Sequence, residues 1–489
     1  MTPRRRRRKA PREREVDLAR YRSFVDDWAG FTEAARRPEP VVFRVCAGRV
    51  TEHALIERLR ARGFEIEPVD GVSGFHRVKD GPGPLSATRE HWLGLVYVQQ
   101  ASTGVAAPAI APEPGEHVLD LCSAPGGKTL HMAELMKDSG CLVASEVSEP
   151  RIRGLLGNVY RLGNSNIMVT AGDGRDFPVG ATFDRVLVDA PCSGEGTLRR
   201  GGGRAPNQST SFLDYVTNAQ RALLERAVKV TRPGGVILYV TCTFAPEENE
   251  AVVTDALRRL PVELEPLALP IDHAPGLTHF EGVQFDPRLE GAARIYPHHI
   301  DSGGLFMARL RKLDDGESRS FEDSVPAVFP GDDMSVDEVK ERLGPALDEL
   351  RGRYGLGHGL DRLRWILRGG RAWFHTLDAW PVPVWENGSW RAVSVGVRGI
   401  DFDSRGRPRP SNDLLRLLGD GMTGRTVDVN DDEMRTLIAR EPVAVAEEER
   451  GPIGIRHHGD LIGRGALTVD GLKSEIPKAR AADYLRSLS

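Results

Sequence analysis

Two cysteines lie shortly after apolar segments, in stretches of polar or turn-forming residues. Cys192 lies three residues after Asp189 in the sequence DAPCSGEGT, and Cys242 lies in the sequence TCT after GVILYV. A single cysteine is more often an inert small hydrophobic residue than a nucleophile, but two at neighbouring strand ends reverse that expectation. Because the thiolate form of cysteine is a strong nucleophile, the pair indicates covalent catalysis through sulfur.

A second chemical signal is the segment DLCSAPGGKT, residues 120–129, where an apolar strand ends in a glycine loop. Pro125, Gly126 and Gly127 allow a tight turn and a close approach of the backbone to a ligand. Roughly 20 residues later a second strand ends at Glu146, where a doubly wound sheet places the acid that binds a ribose diol. The G-x-G-x-x-G spacing of a pyrophosphate site is absent. This layout predicts a nucleoside cofactor that needs no phosphate, namely S-adenosylmethionine, and its alternative is a plain strand-to-helix turn in another α/β enzyme.

A thiol pair opposite a methyl donor suits one difficult reaction. Carbon 5 of cytosine is not nucleophilic, but a thiolate that adds to carbon 6 creates an enamine whose carbon 5 can attack a methyl sulfonium. A strand-end carboxyl such as Asp189 would stabilise the charge that develops on the ring by hydrogen bonding at nitrogen 3. Free cysteine is only slightly ionised at neutral pH, so we expect one thiol to be activated by its surroundings.

These groups need a scaffold, and the region 92–312 supplies an alternation of short apolar segments with helical or turn-rich stretches. The segments VLDL, CLVAS, NIMVT, RVLVDA and GVILYV predict five strands of a parallel, doubly wound sheet. Ligands bind at the carboxyl edge of such a sheet. We therefore expect the glycine loop, Asp189 and both cysteines to meet at that edge.

The N-terminal part of the chain has two predicted pieces. Residues 1–20 form a basic tail in which Arg4–Lys9, Arg12 and Arg14 are either a disordered segment without specific function or an arm that attracts RNA. Residues 21–91 predict a small α/β module. Its strand is Val41–Val45, and its helix runs from a Thr N-cap to a Gly stop over Thr51–Gly63.

The C-terminal part predicts three pieces. Residues 313–370 begin as an acidic, turn-rich linker and continue with helical segments at Val336–Leu350 and Gly359–Leu367. Residues 371–489 contain the short strands VPVW, RAVSVGV and TVDV between Gly and Asn turns, which indicates a β-rich domain.

Composition limits the class of protein. The chain has 489 residues, a net charge of −4 and five scattered cysteines without a C-x-x-C pair. This length predicts several domains, and the near-balanced charge leaves RNA contacts to local patches. The cysteine pattern indicates neither disulfides nor a metal site. Without a long apolar run or a signal segment, we expect a cytoplasmic protein with no membrane contact.

Together, the motifs of residues 41–312 resemble those of the Sun/Nop-type RNA cytosine-5 methyltransferases, including the bacterial ribosomal-RNA members. The motifs are, in order, DLCSAPGGKT, GDGR, DAPCSGEGTLRR, TRPGGVILYVTCTFAPEENE and RIYPHHIDSGGLFMARL. The resemblance implies a Rossmann-like α/β methyltransferase sheet. It also implies that Cys242 is the nucleophile and that Cys192 helps to release the methylated product.

The resemblance assigns a cofactor pocket as well. Asp173 would meet the adenine amino group, and Lys128 would meet the methionine end of the cofactor or the catalytic carboxylate. The implied catalytic residues are Cys242, Cys192, Asp189 and Lys128. The implied cofactor-binding residues are Cys122, Ser123, Ala124, Pro125, Gly126, Gly127, Lys128, Glu146, Arg151, Asp173 and Asp189.

The chain departs from the family pattern at several positions. Ser123 replaces an alanine, and Glu146 stands where aspartate is common. The family's Arg-x-Asn is here Arg44-Val45-Cys46, so the amide is lost. The segment GGGRAPNQSTSF after Arg200 is glycine-rich and unlike the family's Asp-Pro-containing loop. With Arg199, Arg200 and Arg204 nearby as expected phosphate contacts, this loop is where the choice of RNA could differ.

The end of the chain has a weaker resemblance. Residues 461–481, LIGRGALTVDGLKSEIPKARA, look like the end of the PUA-like RNA-binding domain of the bacterial ribosomal-RNA members. A β-rich domain with another role is the alternative.

We therefore predict a monomeric enzyme that uses S-adenosylmethionine to methylate carbon 5 of cytosine in RNA, with 16S ribosomal RNA as the leading substrate. Transfer RNA is the alternative substrate, because the catalytic motifs serve both. An exocyclic-amine methyltransferase would place an aromatic residue after Pro191, where this chain has Cys192. A non-catalytic RNA-binding assembly factor would have lost a thiol, the glycine loop or Asp189, and none is lost.

Overall fold

The computed structural model describes residues 18–179, 182–200, 209–314, 336–368, 370–378 and 390–488. The basic run Arg4–Arg14, the loop residue Arg204, most of the predicted linker and the VPVW segment lie outside these ranges. Within them, no helix has the length and apolar character needed to cross a membrane.

The N-terminal module is a four-stranded antiparallel sheet with short helices. Its strands, in the spatial order β2-β3-β1-β4, are β1 (Val42–Val45), β2 (Glu65–Pro68), β3 (Phe75–Asp80) and β4 (Val96–Val98). The helices up to the central sheet are α1 (Trp28–Arg36), α2 (Glu52–Ala61), α3 (Arg89–Leu93), α4 (Ala101–Gly104) and α5 (Ala106–Ile110). As predicted, Thr51 caps α2 and accepts a hydrogen bond from the backbone N–H of Ala54. The module extends past residue 91, because β4 completes its sheet.

A mixed sheet of ten strands forms the centre of the described chain. Five parallel strands stand side by side in the order β7-β6-β5-β8-β9; they are β5 (His117–Asp120), β6 (Cys141–Glu146), β7 (Ile167–Ala171), β8 (Phe183–Asp189) and β9 (Thr231–Thr241). Their helices are α6 (Gly127–Leu135), α7 (Glu149–Leu162), α8 (Thr210–Val230) and α9 (Glu250–Arg259). All five predicted strands are present, and their order is that of a doubly wound sheet.

Antiparallel strands continue the sheet beyond β9. β15 pairs with β9 and β14, β14 pairs with β11, and β10 pairs with the far end of β15. The elements of this region are β10 (Val262–Glu265), β11 (Ala274–Pro275), β12 (His279–Phe280), β13 (Val283–Gln284), β14 (Ala293–Ile295), α10 (Pro297–Ile300) and β15 (Leu305–Lys312).

The central strands are buried on both faces. Val118 and Leu119 are neighbours on β5, yet they belong to separate hydrophobic clusters on opposite sides of the sheet, as do Leu142 and Val143 on β6. Because successive side chains of a strand point to opposite faces, continuous apolar segments of this kind require helices on both sides.

The C-terminal part contains two further four-stranded sheets. One has the order β16-β17-β19-β20 and the other β21-β22-β23-β24. The elements are α11 (Val336–Tyr354), α12 (Gly357–Asp361), β16 (Arg364–Arg368), β17 (Arg371–His375), β18 (Arg391–Val395), β19 (Val397–Phe402), β20 (Pro408–Pro410), α13 (Asn412–Leu418), β21 (Thr426–Val429), α14 (Asp431–Ile438), β22 (Gly451–His457), β23 (Asp460–Thr468), β24 (Gly471–Ser474) and α15 (Lys478–Arg486).

Two predictions for this part were wrong. The helix predicted over Gly359–Leu367 ends at Asp361, and the residues from Arg364 form β16, where Trp365 pairs with Phe374 across the hairpin. The segment RAVSVGV is not confined to a separate β-rich domain. Its strand β18 pairs antiparallel with β7 and extends the ten-stranded central sheet, which is called the catalytic sheet below. Apolar pattern alone does not identify the strand with which a segment pairs.

The N-terminal module and the last sheet share one hydrophobic core. Phe43 and Leu55 of the module lie in the same buried cluster as Ile453 and Ile455 of β22. The Trp92 indole N–H also donates to the carbonyl oxygen of Arg480 at 2.9 Å. The structure therefore confirms the predicted mixed α/β fold with a C-terminal β-rich region, and it joins the two ends of the chain.

Candidate active site

A cavity of about 640 Å³ opens at the carboxyl edge of the parallel strands. It brings together nearly all the residues predicted for the site, and they come from the loops after β5, β6, β7, β8 and β9. The predicted residues that line it are Cys122, Ser123, Ala124, Pro125, Gly127, Lys128, Glu146, Arg151, Asp173, Asp189, Cys192 and Cys242. Gly126 lies at the start of α6, where its φ of +110° favours glycine.

The glycine loop is fixed by Asp120, a buried residue that the sequence analysis did not single out. Its carboxylate accepts hydrogen bonds from the Thr129 hydroxyl at 2.7 Å and from the backbone N–H of Cys122 at 3.2 Å. Burial raises the pKa of Asp120 from 3.8 to about 7. The signal was present in the sequence, since Asp120 opens the DLCSAPGGKT motif.

Glu146 stands at the end of β6 and is 2% exposed. One carboxylate oxygen accepts from the backbone N–H of Ser148 at 2.9 Å, and the other lies 3.0 Å from the Arg151 guanidinium without accepting a hydrogen bond. Arg151 also donates to the carbonyl oxygen of Ala124 in the glycine loop. The acid and the loop are thus held together, and one buried acceptor stays available to a ligand.

Asp173 follows β7, the strand next to β6, so it lies on the same side of the cavity as Glu146. Its carboxylate accepts from the Arg175 side chain and from the Arg175 backbone N–H, both at 3.0 Å. These hydrogen bonds lower the pKa of Asp173, so the carboxylate is charged at neutral pH.

Lys128 connects the glycine loop to the end of β8. Its ammonium group donates to the Asp189 carboxylate at 2.7 Å, and the lysine side chain is only 11% exposed. Burial opposes the charge on Lys128, but the carboxylate of Asp189 outweighs burial and raises the pKa of the lysine. A charged pair therefore lines the cavity beside the thiols.

Cys192 and Cys242 meet at the same edge, with their sulfur atoms 3.1 Å apart. The hydrogen bond from the Cys192 thiol lowers the pKa of Cys242, and the same contact raises the pKa of Cys192. Burial and the Asp189 carboxylate oppose the Cys242 thiolate and Lys128 favours it, while Glu248 disfavours a thiolate at either cysteine, so the contact between the two sulfur atoms decides the direction. The lowered pKa of Cys242 favours its thiolate over that of Cys192.

Glu248 holds the Pro-Cys loop in place. Its carboxylate accepts from the backbone N–H of Ser193 at 2.9 Å and from the Gln220 amide at 3.0 Å, while Gln220 also donates to the carbonyl oxygen of Pro191. Glu248 is fully buried. The sequence analysis quoted Glu248 within APEENE but gave it no role, because a supporting contact of this kind arises only when two loops meet.

A second buried acid connects the site to the N-terminal segment. Glu195 accepts hydrogen bonds from the Tyr21 hydroxyl at 2.7 Å, the Thr243 hydroxyl at 3.2 Å and the backbone N–H of Phe244 at 3.3 Å. The backbone N–H of Gly196 also donates to the carbonyl oxygen of Cys242 at 2.9 Å. The two cysteine loops are therefore tied to each other and to the first described residues.

The expected phosphate contacts divide into two groups. Arg199 was predicted wrongly, because its side chain is 2% exposed and donates to backbone carbonyls of Arg37, Pro38 and Ser302. Arg200 is 55% exposed and lines the cavity. Burial against carbonyl oxygens makes the first a structural residue, while the second is open to solvent.

The segment Arg44-Val45-Cys46, where the family has Arg-x-Asn, lies away from the cavity. Arg44 is buried and ion-paired with Glu134 of α6, and Cys46 is buried nearby. None of the three lines the cavity.

The chain is similar to known proteins in sequence and in fold. The sequence profile of the family described as 16S rRNA methyltransferase RsmB/F matches residues 107–311. The 28S rRNA (cytosine-C(5))-methyltransferase of Mus musculus is 32% identical over 355 residues, which are 68% of this chain and 44% of that protein. The Ribosomal RNA small subunit methyltransferase F of Vibrio atlanticus is 29% identical over 474 residues, 94% of each chain.

The chain belongs to the RsmB/F (Sun/Nop) family. A crystal structure of a methyltransferase homologue protein from Pyrococcus horikoshii is 34% identical to this RsmB/F-family chain, with a TM-score of 0.52 over 58% of this chain and 90% of that one. The match to the mouse protein spans less than half of that relative's length. The predicted family and the predicted methyltransferase fold are both confirmed, while the PUA-like nature of the C-terminal region stays a prediction.

Proposed function

We propose that this chain methylates carbon 5 of cytosine in ribosomal RNA, with the 16S RNA of the small subunit as its substrate. The observation that carries the proposal is the contact between the Cys192 and Cys242 sulfur atoms, 3.1 Å apart on the wall of the cavity that also contains the glycine loop. Family membership supports the reaction. The Vibrio relative, which is similar over 94% of both chains, supports the small-subunit substrate by its name.

The cofactor we propose is S-adenosylmethionine, which supplies an electrophilic methyl group when bound. The residues present fit such a ligand. Glu146 offers a buried acceptor oxygen without a hydrogen bond, which suits a ribose hydroxyl. A Cβ at Gly127 would fill the space in van der Waals contact with Tyr97 and Gln99, at 3.4 and 3.5 Å, so glycine keeps this part of the cavity wall free of a side chain. Asp173 would accept from the adenine amino group, and residues 122–128 would cradle the rest.

The first chemical step belongs to Cys242. Its thiolate adds to carbon 6 of the cytosine, the double bond between carbons 5 and 6 opens, and carbon 5 becomes nucleophilic. Asp189, positioned by Lys128 at 2.7 Å, would stabilise the altered ring by sharing a proton with its nitrogen 3, because an ionised carboxylate alone can only accept a hydrogen bond. These two residues therefore prepare the target base while the sulfur is attached to it.

The last step belongs to Cys192. Once Cys242 is bonded to carbon 6, its sulfur no longer carries the negative charge that raises the pKa of Cys192. Cys192 therefore loses its own proton to solvent more readily, and the resulting thiolate takes the proton from the methylated carbon 5. The electron pair of that C–H bond restores the ring double bond and expels the Cys242 thiolate.

We propose that the regions on either side of the catalytic sheet bind the RNA and that the protein acts as a monomer. The N-terminal module of residues 21–91 and the β-rich region of residues 371–489 are the proposed RNA-binding parts, the second with a PUA-like role. The buried cluster that Phe43 and Leu55 share with Ile453 and Ile455 supports their action as one unit.

Bisulfite sequencing of RNA from cells with and without the gene tests the proposal. We expect one cytosine of 16S ribosomal RNA to resist conversion only when the gene is present. A protected cytosine in transfer RNA instead would support the alternative substrate. If no protected cytosine depends on the gene, the methyltransferase proposal fails and the assembly-factor alternative gains support.

A further inference from the structure

Three side chains that can bind a metal converge far from the catalytic residues in sequence, at Asp431, His457 and His458. The ligand atoms of the three residues all lie within 4.8 Å of one another. The Nε2 atoms of both imidazoles lie 2.8 Å from the same Asp431 oxygen, Oδ1. Two nitrogens and one carboxylate oxygen are a donor set that zinc favours.

One of the three side chains is buried and held by a neighbour, while the other two face solvent. His457 is buried, and its Nδ1 atom lies 2.8 Å from the Tyr484 hydroxyl. Without a metal, Nε2 carries the proton that faces the Asp431 carboxylate, but the Tyr484 hydroxyl can accept from Nδ1–H, and an imidazole held in that way has its Nε2 lone pair free for a metal. His458 and Asp431 are each about half exposed, at 50% and 52%. Solvent can therefore supply a further ligand.

The hairpin turn that carries His458 is unusual. His458 and Gly459 connect β22 to β23 with φ values of +51° and +82°, which is the type I′ pattern. The left-handed region favours Gly, Asn and Asp at such turns, and histidine tolerates it at a cost. This turn keeps an imidazole beside Asp431 in spite of that cost.

A second cluster of the same composition provides a contrast. The Nε2 atoms of His298 and His299 lie 3.0 Å from the two oxygens of Asp26. However, the backbone N–H of Tyr296 donates to Nδ1 of His299 at 3.1 Å. Nδ1 is therefore an acceptor, so the proton of the neutral ring is on Nε2 and His299 cannot use that atom as a ligand.

We propose that Asp431, His457 and His458 form a binding site for a divalent cation of the zinc class, with water completing the coordination. In tetrahedral geometry, ligand atoms about 2.0 to 2.1 Å from zinc stand roughly 3.3 Å apart. The present separations of 2.8 Å need to widen by a few tenths of an ångström, which the half-exposed side chains permit.

The hairpin that carries the proposed site also contacts the N-terminal module. Tyr484 packs against Trp92 of the N-terminal module, with ring centroids 4.9 Å apart. In the same hairpin, Asp460 pairs with Arg58 of the module at 2.7 Å and with Arg89 at 3.2 Å. A cation bound at the turn therefore fixes the hairpin through which the C-terminal sheet contacts the N-terminal module.

Metal titration of the untagged full-length protein tests the site. After removal of metals by a chelator, we expect calorimetry to detect tight binding of zinc that His458→Asn weakens by more than about 100-fold, because one ligand is lost. Asparagine tolerates the left-handed backbone, so the variant keeps the turn. His298→Asn makes the same change in the Asp26 cluster and should leave zinc binding unchanged. Tyr484→Phe should weaken binding about 10-fold or more through loss of the supporting hydroxyl.

The paired thiols of Cys192 and Cys242 are the competing zinc site, and cobalt(II) separates the two. Cobalt bound to Asp431, His457 and His458 lacks the strong thiolate charge-transfer absorption that cysteine ligands produce. Zinc binding that is unchanged in His458→Asn, lost in His298→Asn or absent from the wild-type protein would overturn the proposal. Equal unfolding midpoints of wild type and His458→Asn in chelator would show that the variant is folded.

Discussion

The sulfur atoms of Cys192 and Cys242 lie 3.1 Å apart, although the two residues follow different strands and stand 50 positions apart in the chain. This contact makes the two thiols chemically unequal, because one sulfur serves as hydrogen-bond donor and the other as acceptor. The inequality predicts different outcomes for the two alanine variants.

Cys242→Ala should abolish methylation and form no covalent RNA adduct, since no thiolate attacks carbon 6. Cys192→Ala should allow attack and methylation but slow the elimination, so that protein accumulates on RNA. The measurement is a denaturing gel of each variant with S-adenosylmethionine and cytosine-containing RNA. A band from Cys242→Ala alone would reverse the two roles, and bands from neither would contradict the proposed adduct.

Glu146→Ala should weaken the binding of S-adenosylmethionine by about 1 to 3 kcal/mol, because a buried charged acceptor is removed from the cavity. Isothermal titration calorimetry measures the change. Glu149→Ala is the matched control, since Glu149 is exposed on the adjacent helix and pairs with Arg391. Equal affinities for the Glu146 variant and wild type would remove Glu146 from the cofactor site.

Asp120 predicts a pH dependence of stability. Its pKa is raised by burial from 3.8 to about 7. Between these values the folded protein retains a proton that the unfolded chain has lost, so this carboxyl destabilises the fold increasingly as pH rises toward 7. Asp120→Asn removes the cost, roughly 2 to 4 kcal/mol above pH 7, and the Thr129 hydroxyl can still donate to the carbonyl oxygen of Ser123.

Thermal unfolding at a series of pH values tests this prediction. The Asn variant should unfold several degrees above wild type near pH 8, and the two midpoints should converge near pH 4. Midpoint curves that run parallel across the whole range would show that the pKa of Asp120 is the same in the folded and the unfolded protein.

Arg199 and Arg200 are adjacent, but we expect their alanine variants to change different properties of the protein. Arg200→Ala should reduce the slope of log binding constant against log salt by about 0.7 to 0.9 for one lost phosphate contact, with stability unchanged. Arg199→Ala should lower the unfolding temperature, because carbonyl oxygens of Arg37, Pro38 and Ser302 lose a buried donor.

Salt titrations of RNA binding and thermal unfolding distinguish the two arginines. Deletion of the basic tail should reduce the salt slope by more than Arg200→Ala does, because the tail has several cations. An unchanged slope after deletion would show that the tail does not contact RNA.

Much of the catalytic sheet was predictable because its signals are local. The strand that ends at Asp120, the loop glycines and the strand that ends at Asp189 are each contained in a few consecutive residues, and a parallel sheet brings such ends to one edge. The meeting of Cys192 with Cys242 was expected for the same reason. The sequence also led us to expect that one thiol would be activated, but the distance between the two sulfur atoms and the cause of the activation depend on how the loops pack.

The predictions that were wrong depended on contacts that the local sequence does not show. Arg199 has the same side chain as its exposed neighbour, and only the tertiary fold surrounds it with carbonyl oxygens. Trp365 was placed in a helix because apolar spacing is ambiguous over short segments, although the glycines at 369 and 370 are a hairpin signal. The expectation that no metal binds stays a prediction, and it rested on cysteine spacing, which says nothing about His457 and His458.

The pairing of β18 with β7 affects how the protein is made. The catalytic sheet has an unprotected edge at β7 until Val395 has been synthesised, which is roughly four fifths of the way along the chain. During that interval the open edge can pair with other strands, including those of another nascent chain. In the complete fold β18 covers the edge of β7. A chain that stops at residue 312 would leave the edge of β7 permanently unpaired.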